Sequence, residues 1–340
     1  MVFNHSDVIE IKKMTGKEKL KIAICRGATC SGCDIAILDI NERLPKVLEK
    51  AVIVYAPTLM DAKNADVEKM NDKEIDVCFY HGCVRDSDNE ELAHLLRKKS
   101  KIMVAFGACA CFGGIFGLAN VTDREGIFEE VYKNTASTEN PEGTTPQTEY
   151  WDKKDHKLTL PEFYDNVYAL DDKIDVDYFV PLCPPIADQI MTALNAIISG
   201  KLPPKGTIIA SEKTLCSECE RKRSAVRKIG KIHRPHEIKI DQEKCMLDQG
   251  LLCMGPATRA GCGTICIKAN VPCRGCSGPT KESFDQGANM LGLIATIYGI
   301  PEEALTEDDV KKVMKEIKDP LGTFYRFTLP KSILKRKRLK

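Results

Sequence analysis

The sequence lacks any uninterrupted apolar run that approaches the roughly 18 residues a helix needs to span a bilayer. Its first residues show neither a basic start followed by an apolar stretch nor a twin arginine, the two patterns that mark exported proteins. The formal net charge is only +1, so charge gives no case for binding nucleic acid or an anionic membrane surface. We therefore expect a cytoplasmic protein with no membrane span and no nucleic-acid partner.

Recognisable catalytic motifs are also missing. The sequence contains no Walker A loop and no HExxH motif, and neither a Ser–His–Asp set nor a pair of catalytic carboxylates stands out. The histidines, His81 included, are expected to serve in packing or to face solvent rather than to bind a metal. No side chain of this chain is therefore predicted to be catalytic.

Cysteine, by contrast, is abundant, with 16 among the 340 residues. Disulfides on that scale would need an oxidising compartment, whereas cysteines in a cytoplasmic protein more often bind metals or do redox chemistry. The hydrophobic fraction of 43% and the charged fraction of 29% are ordinary for a globular protein with a real core. The cysteines are thus the feature that points to function.

The first half of the chain alternates short apolar runs with helix-like stretches. The runs that predict strands are Lys21–Cys25, Val52–Tyr55, Val77–Tyr80, Ile102–Phe106 and Tyr178–Val180. Amphipathic stretches such as Asp34–Glu49 and Asn89–Lys99 predict helices between them. This alternation predicts an α/β fold, a flavodoxin-like doubly wound parallel sheet with right-handed crossovers and helices on both faces.

Two breaks in that alternation divide the chain. Residues Asn120 to Asp177, which include the single Trp151, predict a long excursion before the fifth strand, suited to a lid, a mobile loop or a partner contact. The Pro/Gly segment Lys201–Gly206 marks a boundary, after which periodicity is weak until a predicted helix near Ser283–Tyr298. We expect an N-terminal extension over residues 1–20, a flavodoxin-like domain over 21–205, and a smaller, irregular cysteine-rich domain over 206–340 that ends in a basic tail.

Four cysteines of the first half directly follow predicted strands. Cys30 and Cys33 (CSGC) follow the first strand, Cys109 follows the fourth and Cys183 follows the fifth. In an open parallel sheet with the order 2-1-3-4-5, ligands bind beyond the carboxyl ends of the strands, so these cysteines can converge at one edge. Four thiolates with long, irregular spacing suit a [4Fe–4S] cluster.

The second half offers eight more candidate ligands. They are Cys216, Cys219, Cys245, Cys253, Cys262, Cys266, Cys273 and Cys276. Eight thiolates suffice for two more clusters, although the bacterial ferredoxin run C-x2-C-x2-C-x3-C-P is absent. Four cysteines also suit zinc, which leaves a zinc site as an alternative.

Four cysteines are left over by this count. Cys25 and Cys78 lie in apolar strand patterns and suit buried packing. Cys83 and Cys111 remain rival ligands, because Cys111 is only two residues from Cys109.

The motifs CSGC at 30–33, GACACFGG at 107–114 and CPP at 183–185 resemble the small subunit of nickel–iron hydrogenases. The run LLCMGPATRAGCGTIC…PCRGCSGPT at 251–280 is similar to the second domain of that family. The likeness covers nearly all of residues 20 to 330 and is strongest with cytoplasmic archaeal enzymes that reduce methyl viologen but not coenzyme F420.

The resemblance implies a role for each candidate cysteine. The proximal [4Fe–4S] cluster would be held by Cys30, Cys33, Cys109 and Cys183. The medial cluster would be held by Cys262, Cys266, Cys273 and Cys276, and the distal cluster by Cys216, Cys219, Cys245 and Cys253. Many relatives have a proline at one medial position, which leaves a [3Fe–4S] centre, and a histidine at the first distal position. This chain has Cys266 and Cys216 there, so three [4Fe–4S] clusters are expected.

The resemblance also implies the partners. Hydrogen would be split at a [NiFe] large subunit, and electrons would leave through this chain to a [2Fe–2S] subunit and then to the flavin of heterodisulfide reductase. Two alternatives stay open, namely the small subunit of an F420-reducing hydrogenase and a cysteine-rich zinc-binding structural protein.

Overall fold

The computed structural model describes residues 19–298 and 306–335. Almost all of the predicted extension over residues 1–20, and the last five residues of the basic tail, lie outside the described residues.

The described residues form strands and helices with the following bounds. The strands are β1 (Leu20–Arg26), β2 (Ala51–Tyr55), β3 (Ile75–His81), β4 (Val84–Asp86), β5 (Ser100–Phe106), β6 (Glu149–Trp151), β7 (Lys157–Thr159), β8 (Phe163–Tyr168), β9 (Tyr178–Val180) and β10 (Thr207–Ile208). The helices are α1 (Gly32–Leu38), α2 (Leu44–Lys50), α3 (Asn64–Glu68), α4 (Ser87–Lys99), α5 (Ala108–Phe112), α6 (Arg124–Glu129), α7 (Ala187–Ile198), α8 (Ile265–Lys268), α9 (Gln286–Ile297), α10 (Glu307–Glu316) and α11 (Pro320–Phe324).

The main sheet of the described part has the order β10-β9-β5-β3-β1-β2, and every neighbouring pair is parallel. The five predicted strands therefore have the expected order 2-1-3-4-5, and the short β10 extends the sheet beyond the fifth. Alternate residues of β3 enter different cores, with Phe79 on one face and Cys78 and Tyr80 on the other. Strands that are buried on both faces have continuous apolar runs in their sequences, as the predicted strands do. The predicted flavodoxin-like α/β fold is confirmed.

The prediction of a single helical stretch over Asp34–Glu49 is wrong. The chain forms α1, then a 3₁₀ turn at Asn41–Arg43, then α2. Asn41 has a φ of 52°, in the left-handed region, which interrupts a right-handed helix. Pro45 occupies the first turn of α2, where its missing N–H costs no hydrogen bond.

The two other predicted helices are confirmed, and each begins at an aspartate cap. The Asp86 carboxylate accepts from the Asn89 N–H at 2.8 Å at the start of α4. The Asp285 carboxylate accepts from the Ala288 N–H at 2.7 Å at the start of α9. Such caps satisfy N–H groups that have no partner within the helix.

The excursion predicted between the fourth and fifth strands contains α6, β6, β7 and β8. β8 pairs antiparallel with β4 outside the main sheet, and β6 and β7 form a hairpin. Tyr150 and Trp151 of that hairpin are 59% and 60% exposed, so they add little to any core. A partner contact at Trp151 stays a prediction.

The cysteine-rich part of the second half consists mainly of loops, short 3₁₀ turns and the short α8, as its weak periodicity predicts. Residues such as Leu215, Met246 and Phe324 form a separate core beneath these loops. β10 still belongs to the main sheet although it follows the predicted boundary at Lys201–Gly206, and the division into domains stays a prediction. Across the residues described here, no helix combines the length and the apolar character needed to cross a membrane.

Candidate functional site

The proximal set of cysteines lies beyond the carboxyl edge of the main sheet. Cys30 precedes α1 and Cys33 lies in its first turn, directly after β1. Cys109 lies in α5, directly after β5, and Cys183 follows β9. Parallel strands place their carboxyl ends at one edge, where ligands of such sheets bind. The structure thus brings these four cysteines to the same edge.

Backbone hydrogen bonds hold the loops that follow β5 and β9 side by side. The N–H of Gly107 donates to the carbonyl of Val180 at 2.7 Å, and the N–H of Ala108 donates to the carbonyl of Leu182 at 2.7 Å. The candidate ligands of these two loops are therefore held in register by the main chain.

Two glycines line this set where any side chain would collide with sulfur. Gly107 has a φ of +87°, and a Cβ there would lie 2.5 Å from Sγ of Cys33. Gly114 has a φ of +62°, and its Cβ would collide with Sγ of Cys109. Only glycine allows both this backbone conformation and so close an approach to the thiols.

Burial and mutual repulsion raise the pKa of Cys33, Cys109 and Cys183 in the proximal set. The pKa of Cys33 is raised to about 12, first by burial and then by the thiolates of Cys183 and Cys30. The pKa of Cys109 is also raised, by burial first and then by neighbouring thiolates. Thiolates this close need positive charge between them to stay ionised together. Iron in an iron–sulfur cluster provides that charge, so the donor set fits such a group.

Sequence reasoning missed a buried polar pair behind the proximal set. His81, at the end of β3, is completely buried, and its Nε2 lies 2.9 Å from Oδ1 of Asp34. Its Nδ1 lies 3.4 Å from Oγ1 of Thr29. Asp34 follows Cys33 and Thr29 precedes Cys30. The two contacts of His81 therefore hold both ends of the segment that carries these cysteines. The sequence signal that could have revealed this pair was the position of His81, which lies at the end of a strand that neighbours β1.

The four left-over cysteines are all buried. Sγ of Cys83 donates to a backbone carbonyl at 3.4 Å, and Sγ of Cys111 donates to another at 3.3 Å. Cys25 and Cys78 lie in the core on one face of the main sheet. Each rival thiol thus has a backbone partner, but the charge of Cys83 raises the pKa of Cys109, so Cys83 lies close to the proximal set.

The distal set also forms one neighbourhood. The pKa of Cys216 is raised to about 11, first by burial, with smaller contributions from the thiolates of the other three members. A Cβ on Gly255 would lie 3.4 Å from Sγ of Cys216 and 3.6 Å from Sγ of Cys253. A methyl group there would be in ordinary van der Waals contact with both sulfurs, which places Gly255 beside two candidate ligands.

Two arginines that sequence reasoning did not single out border the distal set. Nη2 of Arg223 donates to the carbonyl of Cys216 at 2.5 Å, and Nη2 of Arg227 lies 3.8 Å from Sγ of Cys245. The charge of Arg223 opposes the rise in the pKa of Cys216. Arg223 therefore favours the thiolate form of Cys216, the form that metal binding requires.

The medial set lies around α8 and the loop that follows it. Burial raises the pKa of Cys276 to about 12, and the thiolates of Cys262, Cys183 and Cys266 add to the rise. Burial also raises the pKa of Cys273, and the thiolates of Cys253 and Cys276 contribute. Cys276 therefore neighbours the proximal set, and Cys273 neighbours the distal set.

Backbone contacts fix the order of the three sets. The N–H of Leu182, which precedes a proximal cysteine, donates to the carbonyl of Cys276 at 3.2 Å. The N–H of Met254, which follows a distal cysteine, donates to the carbonyl of Cys273 at 3.0 Å. The medial set consequently lies between the other two.

All 16 cysteines fall within the described residues and are free thiols. In that same part of the chain, no three or more His, Cys, Asp and Glu side chains have the arrangement that a single metal ion needs.

Comparison with known proteins identifies related chains. The family model described as NADH ubiquinone oxidoreductase, 20 Kd subunit, matches residues 30–197, which include the whole proximal set. The iron–sulfur subunit of the F420-non-reducing hydrogenase of Archaeoglobus profundus is 39% identical, over 94% of this chain and 99% of its own length. A subunit of the F420-non-reducing hydrogenase of Methanothermobacter thermautotrophicus is 36% identical, over 93% of this chain and 96% of its own length.

Among solved structures, one chain of an NAD+-reducing [NiFe]-hydrogenase in the H2-reduced state is 29% identical, with a TM-score of 0.47. The match covers 55% of this chain and 94% of that one. The two curated relatives, by contrast, are similar over nearly their whole length, and both belong to F420-non-reducing hydrogenases. This chain therefore belongs to the family of F420-non-reducing hydrogenase iron–sulfur subunits, which confirms the prediction of a hydrogenase small subunit.

Proposed function

We propose that this chain conducts electrons from H2 oxidation at a [NiFe] large subunit, through three [4Fe–4S] clusters, to a [2Fe–2S] or flavin partner such as heterodisulfide reductase. The observation that carries the proposal is the medial set, which contacts the proximal set on one side and the distal set on the other. Three redox sites in a row are the arrangement that a chain needs to move electrons across its own body. The cytoplasmic location stays an expectation.

In this proposal the twelve cysteines of the three sets hold the clusters. When bound, iron–sulfur clusters supply one-electron redox chemistry. The chain contributes backbone N–H groups that stabilise negative charge on the ligand sulfurs. The N–H of Cys183 lowers the pKa of Cys276, and the N–H of Thr264 lowers the pKa of Cys262, in each case against the larger effect of burial. Hydrogen bonds of this kind tune the reduction potential of a cluster.

The exposed side of the proximal set supports a contact with the large subunit. Cys30 and Cys183 are exposed. In the adjacent α1, Ile35 is 58% exposed and Leu38 is 45% exposed. Exposed apolar side chains beside candidate cluster ligands favour a partner that covers them. An obligate interface here would shield the proximal cluster and keep it close to the active metals.

The proposal is tested on the complete hydrogenase, purified anaerobically. Iron, acid-labile sulfide and zinc are quantified, and H2-dependent reduction of methyl viologen and of coenzyme F420 is assayed. We expect at least about twelve sulfides per complex, because the three clusters of four in this chain require that number, and reduction of methyl viologen only. Zinc without sulfide would instead support the structural alternative, and reduction of F420 would support the F420-reducing alternative.

A further inference from the structure

A basic stretch borders the distal set. Residues 221–234 contain seven lysines and arginines and no aspartate or glutamate, in a chain whose net charge is only +1. We call residues 221–234 the basic segment. A local excess of positive charge is not needed for solubility in a chain whose charges are nearly balanced. It therefore points to a partner of opposite charge.

The basic segment is held against the candidate distal ligands. The N–H of Ser224 donates to Oδ2 of Asp248 at 2.6 Å, and Nε of Arg227 lies 3.4 Å from Oδ1 of the same carboxylate. The guanidinium groups of Arg223 and Arg227 reach the carbonyl of Cys216 and Sγ of Cys245. One face of the segment is therefore fixed on the distal set, and the other is free to meet a partner.

The outward face of the basic segment carries cations that the chain itself does not neutralise. Lys228, Lys231 and Arg234 are exposed, and none forms an ion pair with a carboxylate in residues 19–298 or 306–335. Lys222 differs, because it pairs with Glu243 at 2.7 Å. Between these cations, the apolar side chain of Val226 is 73% exposed.

We propose that the basic segment is the docking surface for an electron-accepting protein with an acidic face. The proposal rests on the proposed function, because the distal set must be the exit for electrons. Unpaired cations steer an acidic protein toward this surface and orient it. Val226 offers an apolar contact at the centre of a charged rim, the usual anatomy of a transient interface. A protein seated there would lie directly over Cys216 and Cys245.

The test uses the small–large subunit pair, freed of other subunits at high salt, with an acidic ferredoxin as the probe. H2-dependent ferredoxin reduction is compared between the unmodified pair, the double variant Lys228→Glu with Lys231→Glu, and a matched control. Neither lysine contacts a candidate ligand. The control is the double variant Lys153→Glu with Lys154→Glu. It reverses the charge of two exposed lysines in the turn between β6 and β7.

The double variant is expected to raise KM for ferredoxin about tenfold at low salt, and the control is expected to leave KM unchanged. Reduction of a small, net-neutral sulfonated viologen should match that of the unmodified pair in both variants. The KM of the unmodified pair should itself rise between about 50 and 500 mM salt, because salt screens exposed charges.

An unchanged ferredoxin KM in the double variant would overturn the docking proposal, and so would a KM of the unmodified pair that does not depend on salt. The second result does not require any variant to fold. Failure of the unmodified pair to reduce either acceptor would instead contradict the proposed electron-transfer function.

Discussion

Cys78 illustrates how position decides what a cysteine can do in this chain. It is fully buried in β3, and burial raises its pKa from 9.0 to about 12. Cys30 has the opposite surroundings, since it is exposed in the loop after β1 among three other candidate ligands. A thiol buried within a strand behaves as a small hydrophobe, whereas several thiols gathered from loops can bind metal together.

This contrast predicts different results for two cysteine variants. Cys30→Ala should remove the proximal cluster, lower the iron content by about four atoms per chain, and abolish H2-driven electron output. Cys78→Ala, the matched control, should keep its iron and lose only the modest stability of a buried contact. Iron analysis and acceptor reduction on both purified assemblies check the prediction. Full iron content and activity in Cys30→Ala would contradict the ligand assignment.

Cys78 also predicts how stability depends on pH. The folded chain keeps the Cys78 proton up to a pH of about 12, whereas the unfolded chain releases it near pH 9.0. The contribution of Cys78 to stability is therefore constant well below pH 9.0 and falls as the pH rises above that value. The expected loss is about 1.4 kcal/mol at about pH 10, relative to neutral pH.

Denaturant titrations of the unmodified chain and of Cys78→Ala at both pH values isolate this contribution. The variant should lack the additional alkaline loss. An identical loss in both proteins would show that Cys78 ionises as readily when folded as when unfolded.

Among the elements, α8 offers a specific test of the medial set. Cys266 is the second residue of α8, in the first turn, where proline is tolerated. Cys266→Pro should convert the medial cluster to a [3Fe–4S] form and produce a new electron paramagnetic resonance signal in the oxidised protein. Ile265→Ala, at a neighbouring position that is 56% exposed, serves as the control and should leave the spectrum unchanged. Without a new signal in Cys266→Pro, Cys266 is not a ligand.

The turn between β5 and α5 offers a second test of the candidate ligands. It compares two glycine variants that cause the same backbone strain. Gly107 and Gly206 have φ angles of +87° and +82°, but a Cβ at Gly206 meets nothing within 4 Å. Alanine at either position should cost about 1–2 kcal/mol in backbone strain. Only Gly107→Ala should also displace Sγ of Cys33 and lower the iron content. Equal iron content in the two variants would show that the proximal set tolerates the added methyl group.

The elements of the first half could be predicted from the sequence because their signals are local. Apolar runs of strand length and the rule that ligands lie at the carboxyl edge of a parallel sheet were enough to place Cys109 and Cys183 together. The interruption between α1 and α2 was missed, because the left-handed conformation of Asn41 breaks a stretch whose amphipathic pattern continues. The role of His81 was missed because its partner, Asp34, belongs to another element.

At the scale of the whole molecule, the order of the three sets could not be derived from periodicity. The contact between Leu182 and Cys276 joins residues far apart in the chain, and most of the residues between Ser211 and Cys276 lie in loops and short turns. Only the family resemblance assigned four of the second-half cysteines to a medial set. The structure adds that this set contacts both the proximal and the distal set, and that the basic segment contacts the distal set.

The most direct test of this account is anomalous diffraction at the iron absorption edge from crystals of the complete hydrogenase. We expect three compact groups of iron in this chain, one at each cysteine set, with the medial group between the other two. Isolated single-atom peaks, an anomalous signal at the zinc edge instead, or iron bound to Cys83 or Cys111 in place of Cys109 would contradict the account.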